Sequence, residues 1–183
     1  MNLKNKNIWI AGRTGLLGKA LEKKLNKIEL VNIIKEKKRF DYRDQKKVSN
    51  FFKKNKIDIV FLLAARVGGI YANMTYPADF IYDNLMIESN IINQSYKNGI
   101  KNLVFLGSSC IYPKKTNKLI SEKELLSGYL EPTNEFYSIA KIAGLKLCEA
   151  YSKQYNVNYI AAMPTNMYGP NDNFHSRNSH VVP

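Results

Sequence analysis

The chain has 183 residues, 45% hydrophobic and 23% charged, the proportions of one globular domain with a single core. No run approaches the length needed to span a bilayer, and Arg13 interrupts the one apolar stretch near the start, Ile8-Trp9-Ile10-Ala11, so neither a membrane span nor a signal peptide is expected. The net charge of +13 is carried by scattered pairs and triplets such as Lys23-Lys24, Lys37-Lys38-Arg39 and Lys46-Lys47. They form no long basic block, and no helix-turn-helix, zinc-ligand or RNA-recognition pattern accompanies them. A solvated lysine-rich surface is therefore expected, with steering of small anionic ligands as the alternative, and with no nucleic-acid partner and no metal. Two cysteines, Cys110 and Cys148, are too few for a disulfide framework and point to a reducing cytoplasm.

In chain order, residues 7–11 read as a short buried strand. Residues 16–26 follow with Leu16, Leu17, Ala20, Leu21 and Leu25 at helical spacing. A second strand is predicted at 29–34, a lysine-bearing helix at 45–55 and an apolar third strand at 57–65. A long helix over 78–98 is stopped by Gly99. A fourth strand at 102–107, a long loop over 113–133, a helix over 134–155 and a strand at 159–163 complete the pattern. Alternation of strand and helix predicts an α/β fold: a doubly wound parallel sheet of Rossmann type, spanning residues 1–183 as one dinucleotide-binding domain. The long loop is of the kind that carries function.

Between the first strand and first helix lies AGRTGLLGKAL, with Gly12, Gly15 and Gly18 spaced GxxGxxG. Glycines there let the backbone turn tightly and approach a pyrophosphate, while the helix start offers unpaired N–H groups. The strand-loop-helix context makes Gly12, Arg13, Thr14, Gly15, Leu16, Leu17 and Gly18 the expected dinucleotide contacts. After the second strand the chain reads Lys35-Glu36-Lys37-Lys38-Arg39. An acid at this place favours the 2′-hydroxyl of NAD, but cations surround this one, and Lys37 together with Arg13 offers partners for a 2′-phosphate. NADP is the favoured coenzyme, with a plain basic surface turn as the alternative.

In NEFYSIAKIAG, Tyr137 and Lys141 stand four residues apart, on one face of a helix. A phenol is a poor proton donor near neutrality, and a neighbouring ammonium would lower its pKa and fit it for proton transfer. The pair alone also occurs by chance. Upstream, GSSCIYP follows the apolar run 103–106 and holds Cys110. Composition alone makes that cysteine a small buried hydrophobe.

The glycine loop, the strand ending at Ser108 and the Tyr137/Lys141 pair occur in the order that resembles the extended short-chain dehydrogenases/reductases. Within them, ARVGGIYANMTYPADFIYDNLMIESNII, FLGSSCIYP, LEPTNEFYSIAKIAGLKLCEAY and MPTNMYGPNDNFHSRNSHVVP resemble the GDP-L-fucose synthase family, the GDP-4-keto-6-deoxy-D-mannose epimerase/reductases. The resemblance implies that Ser108 hydrogen-bonds the reacting oxygen, that Tyr137 moves the proton, and that Lys141 also holds the nicotinamide ribose. It implies that Cys110 and His180 are the acid/base pair for inversion at C3 and C5, which reverses the composition-based reading of Cys110. Leu106, Gly107, Ser108 and Ser109, then Pro164, Thr165, Asn166 and Met167, and His180 become further coenzyme contacts. GDP-4-keto-6-deoxy-D-mannose is the implied substrate and NADP(H) the cofactor. A homodimer through the helices at 78–98 and 134–155 is expected. His175 is given no chemistry, and Cys148 is read as core. The family carries an arginine just before the second glycine, whereas here that place is Thr14 with Arg13 one step earlier. The family also continues past SHVVP into a substrate lobe, so that lobe is expected to lie outside this chain.

Overall fold

The structure, a computed structural model, describes residues 3–37, 40–115, 119–172 and 174. Five strands, β1 (Asn7–Ala11), β2 (Asn32–Ile34), β3 (Ile59–Leu62), β4 (Asn102–Leu106) and β5 (Asn158–Ala162), form one sheet in the order β2-β1-β3-β4-β5. Every pairing is parallel, as the strand-helix alternation predicts. From β1 the chain moves outward to β2, then returns to the other side of β1 as β3. Such a reversal opens a crevice at the carboxyl ends of the strands, where doubly wound proteins bind ligands.

The register divides the side chains by their period of two. Trp9, Val60, Leu103 and Tyr159 align across four strands and are all buried. They meet α2 (Gln45–Lys54), α4 (Pro77–Lys97) and α5 (Glu135–Tyr155) through residues such as Val48, Phe52, Ile91 and Cys148. The alternate residues Ile8, Ile10 and Ile59 pack on Leu21 and Leu25 of α1 (Leu16–Leu25) on the opposite face. Further along that second face, Ile160 of β5 is 52% exposed.

Local chemistry accounts for the helix boundaries. Asp44 precedes α2 and its side chain accepts from the Lys47 N–H at 3.0 Å, satisfying a free donor of the first turn. Pro77 opens α4, where a missing N–H costs nothing. Asn156 ends α5 in the left-handed conformation at φ +50°.

Three expectations need correction. The second strand begins at Asn32 rather than at residue 29, because Leu30 sits at φ +59°, a conformation that turns the chain out of the sheet. A short helix, α3 (Ile70–Thr75), precedes α4; at six residues it is too brief to show a hydrophobic period. The predicted loop over 113–133 contains one turn of 3-10 helix at Glu122–Glu124 and is closed at its base, where the Lys114 N–H donates to the Tyr129 carbonyl at 2.9 Å. No helix among the described residues is long and apolar enough to cross a membrane.

Candidate active site

A cleft of about 690 Å3 opens along the carboxyl edge of the sheet. Most residues singled out from sequence line it: the glycine loop from Gly12 to Gly18 apart from Arg13, the β4 end from Leu106 to Cys110, Tyr137 and Lys141 of α5, and Pro164 to Met167 beyond β5. Lys37 is exposed and is not among the lining residues. His180 and His175 lie outside the described residues.

The loop glycines have separable reasons. Gly12 has φ +91°, and a Cβ there would sit 2.6 Å from the Ala64 backbone nitrogen, so turn and close approach both require glycine. A Cβ on Gly18 would collide with the Gly12 carbonyl oxygen and lie 2.6 Å from Arg13 Cα; its absence lets α1 rest on the loop. A Cβ on Gly15 would meet only the Gly12 oxygen, at 3.5 Å, so the protein itself leaves that space free on the wall of the cleft. Gly15 also starts α1 without a side-chain cap, and no acidic residue lies in the first turn. Open space beside uncapped helix N–H groups fits the pyrophosphate of a dinucleotide.

Arg13 does not face this cleft. Its guanidinium pairs with Glu22 of α1 at 2.9 Å, and Lys35 approaches the same carboxylate at 3.4 Å. Glu36 is held inward, its two oxygens accepting from Tyr42 Oη at 2.6 Å and Trp9 Nε1 at 3.2 Å.

At the other end, the β4 terminus is tied to β5. The Gly107 N–H donates to the Ala162 carbonyl at 2.9 Å and the Ser109 N–H to the Pro164 carbonyl at 3.2 Å. Gly107 has no Cβ because Met163 sulfur occupies that space. Ser108 is thereby fixed in extended conformation, and its Oγ accepts from the Cys110 N–H at 3.3 Å. Cys110 is half-buried, and Asn134, the residue before α5, donates from Nδ2 to its Sγ at 3.2 Å. Cys148 is 1% exposed within the core, where burial pushes its thiol up to about 12.

Tyr137 packs edge-on against Phe80 with ring centroids 6.4 Å apart. Burial raises its phenol above the ordinary value, charge on Cys110 adds to the rise, and a hydrogen bond with Ser108 opposes it. The expectation that Lys141 depresses this pKa is not met here. Lys141 Nζ stands 2.9 Å from Glu88 Oε1, donates to the Leu106 carbonyl at 3.1 Å, and lies 5.9 Å from the Tyr137 ring centroid. Its charge is directed at Glu88 rather than at the phenol. Neither Glu88 oxygen has a donor in hydrogen-bond geometry, so the pair is held by charge and proximity.

Sequence reasoning missed Glu88, Asn134, Tyr42 and Asn84. Asn84 is buried, accepting from the Arg66 N–H at 2.9 Å and donating to the Arg66 carbonyl at 3.0 Å, which fixes the loop after β3. A signal for two of them existed: Asn84 and Glu88 fall on the stripe of α4 that also carries Phe80, Ile87 and Ile91. A polar side chain in an apolar stripe needs a partner.

A parallel sheet whose carboxyl edge gathers a glycine loop, a serine, a tyrosine and a lysine is the arrangement of the short-chain dehydrogenases/reductases. The chain belongs to the NAD dependent epimerase/dehydratase family, which it matches over residues 8–183. It is 52% identical, across 99% of its length, to the GDP-L-fucose synthase of Escherichia coli (strain K12), covering 57% of that protein. It is also 52% identical to GDP-L-fucose synthase 1 of Arabidopsis thaliana, again covering 57% of the relative. The chain thus spans a little over half the length of the curated relatives it matches. Among solved structures it is similar to a GDP-D-glycero-L-gluco-heptose synthase from Campylobacter jejuni crystallised with NADPH, with TM-score 0.91 and 40% identity over 99% of this chain and 53% of that one. A GDP-L-fucose synthetase from Naegleria fowleri bound to NADP superposes with TM-score 0.88 and 30% identity, over 99% of this chain and 60% of that one.

Proposed function

We propose that this chain carries the coenzyme site and the proton-transfer residues for GDP-L-fucose synthesis, in which GDP-4-keto-6-deoxy-D-mannose is epimerised at C3 and C5 and reduced at C4. The observation that carries the reading is the placement of Cys110 beside Ser108 and Tyr137 on one wall of the cleft. Simple reduction of a ketone needs no thiol beside the serine and tyrosine. A thiol beside them suits removal or return of a proton on carbon.

The chemistry follows from the substrate. A ketone at C4 acidifies the hydrogens on C3 and C5, because the carbanion spreads onto the oxygen as an enolate. Inversion at each centre takes a base on one face and an acid on the other. In this reading Cys110 serves as the base, and His180, outside the described residues, as the acid. Ser108 donates to the oxygen as charge develops on it, and Tyr137 delivers the proton that completes the reduced alcohol. NADPH, bound along the glycine loop and the segment from Pro164 to Met167, would supply the hydride for C4. Lys141 would hold the ribose of that coenzyme.

The chain would work in the cytoplasm, where Cys110 stays reduced. A homodimer would form through α4 and α5, where Tyr82, Phe136 and Ile139 are exposed apolar groups. The test is to incubate the purified chain with NADPH and GDP-4-keto-6-deoxy-D-mannose. Loss of dihydronicotinamide absorbance with GDP-L-fucose as product is the expected result. A product reduced at C4 but unchanged at C3 and C5 would reassign the chain to a plain ketosugar reductase.

A further inference from the structure

Glu36 stands just past β2, at the place where an acidic residue in this kind of fold accepts the ribose 2′-hydroxyl of NAD. A free carboxylate there would repel the 2′-phosphate of NADP, so the reading of the site as an NADPH site raises the question of where this charge goes. Both of its oxygens are already engaged. Oε2 accepts from the indole Nε1–H of Trp9 at 3.2 Å, and Oε1 accepts from Tyr42 Oη at 2.6 Å. Tyr42 is in turn anchored from the other side, its oxygen accepting from the N–H of Gly12 at 2.9 Å. The phenol, not the carboxylate, lines the cleft.

The neighbours fix this arrangement. Trp9 is fully buried and its ring is surrounded by Phe51 at 4.8 Å, Phe52 at 5.1 Å and Tyr42 at 6.2 Å between centroids. Phe40 lies 5.3 Å from Tyr42. From α4, Asn90 donates to the Tyr42 and Arg43 carbonyls at 3.1 and 2.9 Å, pinning the backbone that presents the phenol. Burial and the Glu36 charge both raise the pKa of Tyr42, so it keeps the proton it donates.

We propose that Trp9 and Tyr42 set the coenzyme preference of this chain by holding the Glu36 carboxylate away from the adenosine ribose. The inference rests on the NADPH reading above. The lock removes the acceptor that would reward NAD and the charge that would repel a 2′-phosphate, leaving the exposed Lys37 to attract it.

The test is fluorescence titration of NADPH and NADH against the parent, the double variant Trp9→Phe/Tyr42→Phe, and that double variant with Glu36→Gln added. Freeing Glu36 should lower the preference for NADPH over NADH by about tenfold, the scale of one charge-assisted hydrogen bond. Adding Glu36→Gln should restore most of it, and Glu36→Gln alone should leave the parental ratio within about twofold, since a locked carboxylate touches neither coenzyme. A purely structural role would weaken both coenzymes alike and leave the ratio unmoved. If the double variant does not fold, Tyr42→Phe alone should move the ratio the same way by a smaller factor. A ratio unchanged in the folded variants, or an NADH affinity that falls on Glu36→Gln alone, overturns the lock. A parent that binds neither coenzyme overturns the NADPH reading itself, whereas normal binding with a fixed ratio overturns only this inference.

Discussion

Lys141 and Glu88 form an ion pair of 2.9 Å with side chains 3% and 1% exposed, one helix apart in sequence and on facing surfaces of α5 and α4. Both charges are removed from water, which is costly unless each has the other. Room for the carboxylate comes from Gly144, where a Cβ would stand 2.6 Å from Glu88 Oε2 and 2.5 Å from Phe105 Cζ. The residue expected to tune the tyrosine is thus itself held by a buried acid.

Gly144→Ala should destabilise the fold by roughly 1–3 kcal/mol, the usual range for forcing extra volume into a packed interior. Urea denaturation measures it. A variant with the parent's midpoint would mean that α4 and α5 can separate at no cost and that the cradle around Glu88 is not tight.

Burial raises the Glu88 pKa from 4.5 to about 7, with Lys141 opposing the shift. The folded chain therefore holds this proton more tightly than the unfolded chain does. The stability so contributed is complete below the unfolded value of 4.5 and is lost as pH rises through about 7. The melting temperature of the parent minus that of Glu88→Gln should accordingly fall as pH rises across that window. A difference that stays flat, or that grows with pH, would show that Glu88 is ionised throughout and that Lys141 outweighs its burial.

Gly15→Ala and Gly18→Ala should separate binding from folding. The first has space for its methyl group and should stay within about 1 kcal/mol of the parent, yet weaken NADPH about tenfold by filling the place of the pyrophosphate. The second collides with the Gly12 carbonyl and should lower the unfolding free energy by about 1–3 kcal/mol. Equal effects of the two on stability would remove the distinction.

These contrasts show what a sequence can and cannot disclose. Strand β1 was legible as a short continuous apolar run, helices α1 and α2 because their apolar residues repeat at helical spacing, and the glycine loop because its three glycines stand between a strand and a helix. Leu30 in a left-handed turn carries no such signature, so the start of β2 was misplaced. The partners of Glu36 and Lys141 were hidden for a different reason. Trp9, Tyr42 and Glu36 come from three separate segments, and Glu88 is 53 residues from Lys141 in sequence by the difference of their numbers. Only the sheet order brings them together. The sequence makes Arg13 a partner for a 2′-phosphate, whereas its guanidinium pairs with Glu22, because the first turns of α1 bring that carboxylate beside it.

Asn134 occupies the position before α5 yet makes no side-chain cap to that helix; its amide donates to Cys110 Sγ instead. Iodoacetamide should capture Cys110 in the folded chain and spare the buried Cys148. Asn134→Ala should slow capture of Cys110 several-fold, up to about tenfold, because a donor to the developing thiolate is lost. Mass spectrometry of time points reads both sites. Unchanged kinetics in the variant would mean that the amide does not support the sulfur.

The most direct measurement follows hydrogen exchange at C3 and C5 of GDP-4-keto-6-deoxy-D-mannose in deuterated water, by NMR, with the chain present and NADPH omitted. Deuterium should enter both positions with the parent. Cys110→Ser should lose that exchange while still binding NADPH with the parent's affinity. Exchange at an undiminished rate in Cys110→Ser would contradict the assignment of the thiol and, with it, the account of this cleft as a site where carbon acids are inverted beside a reducible ketone.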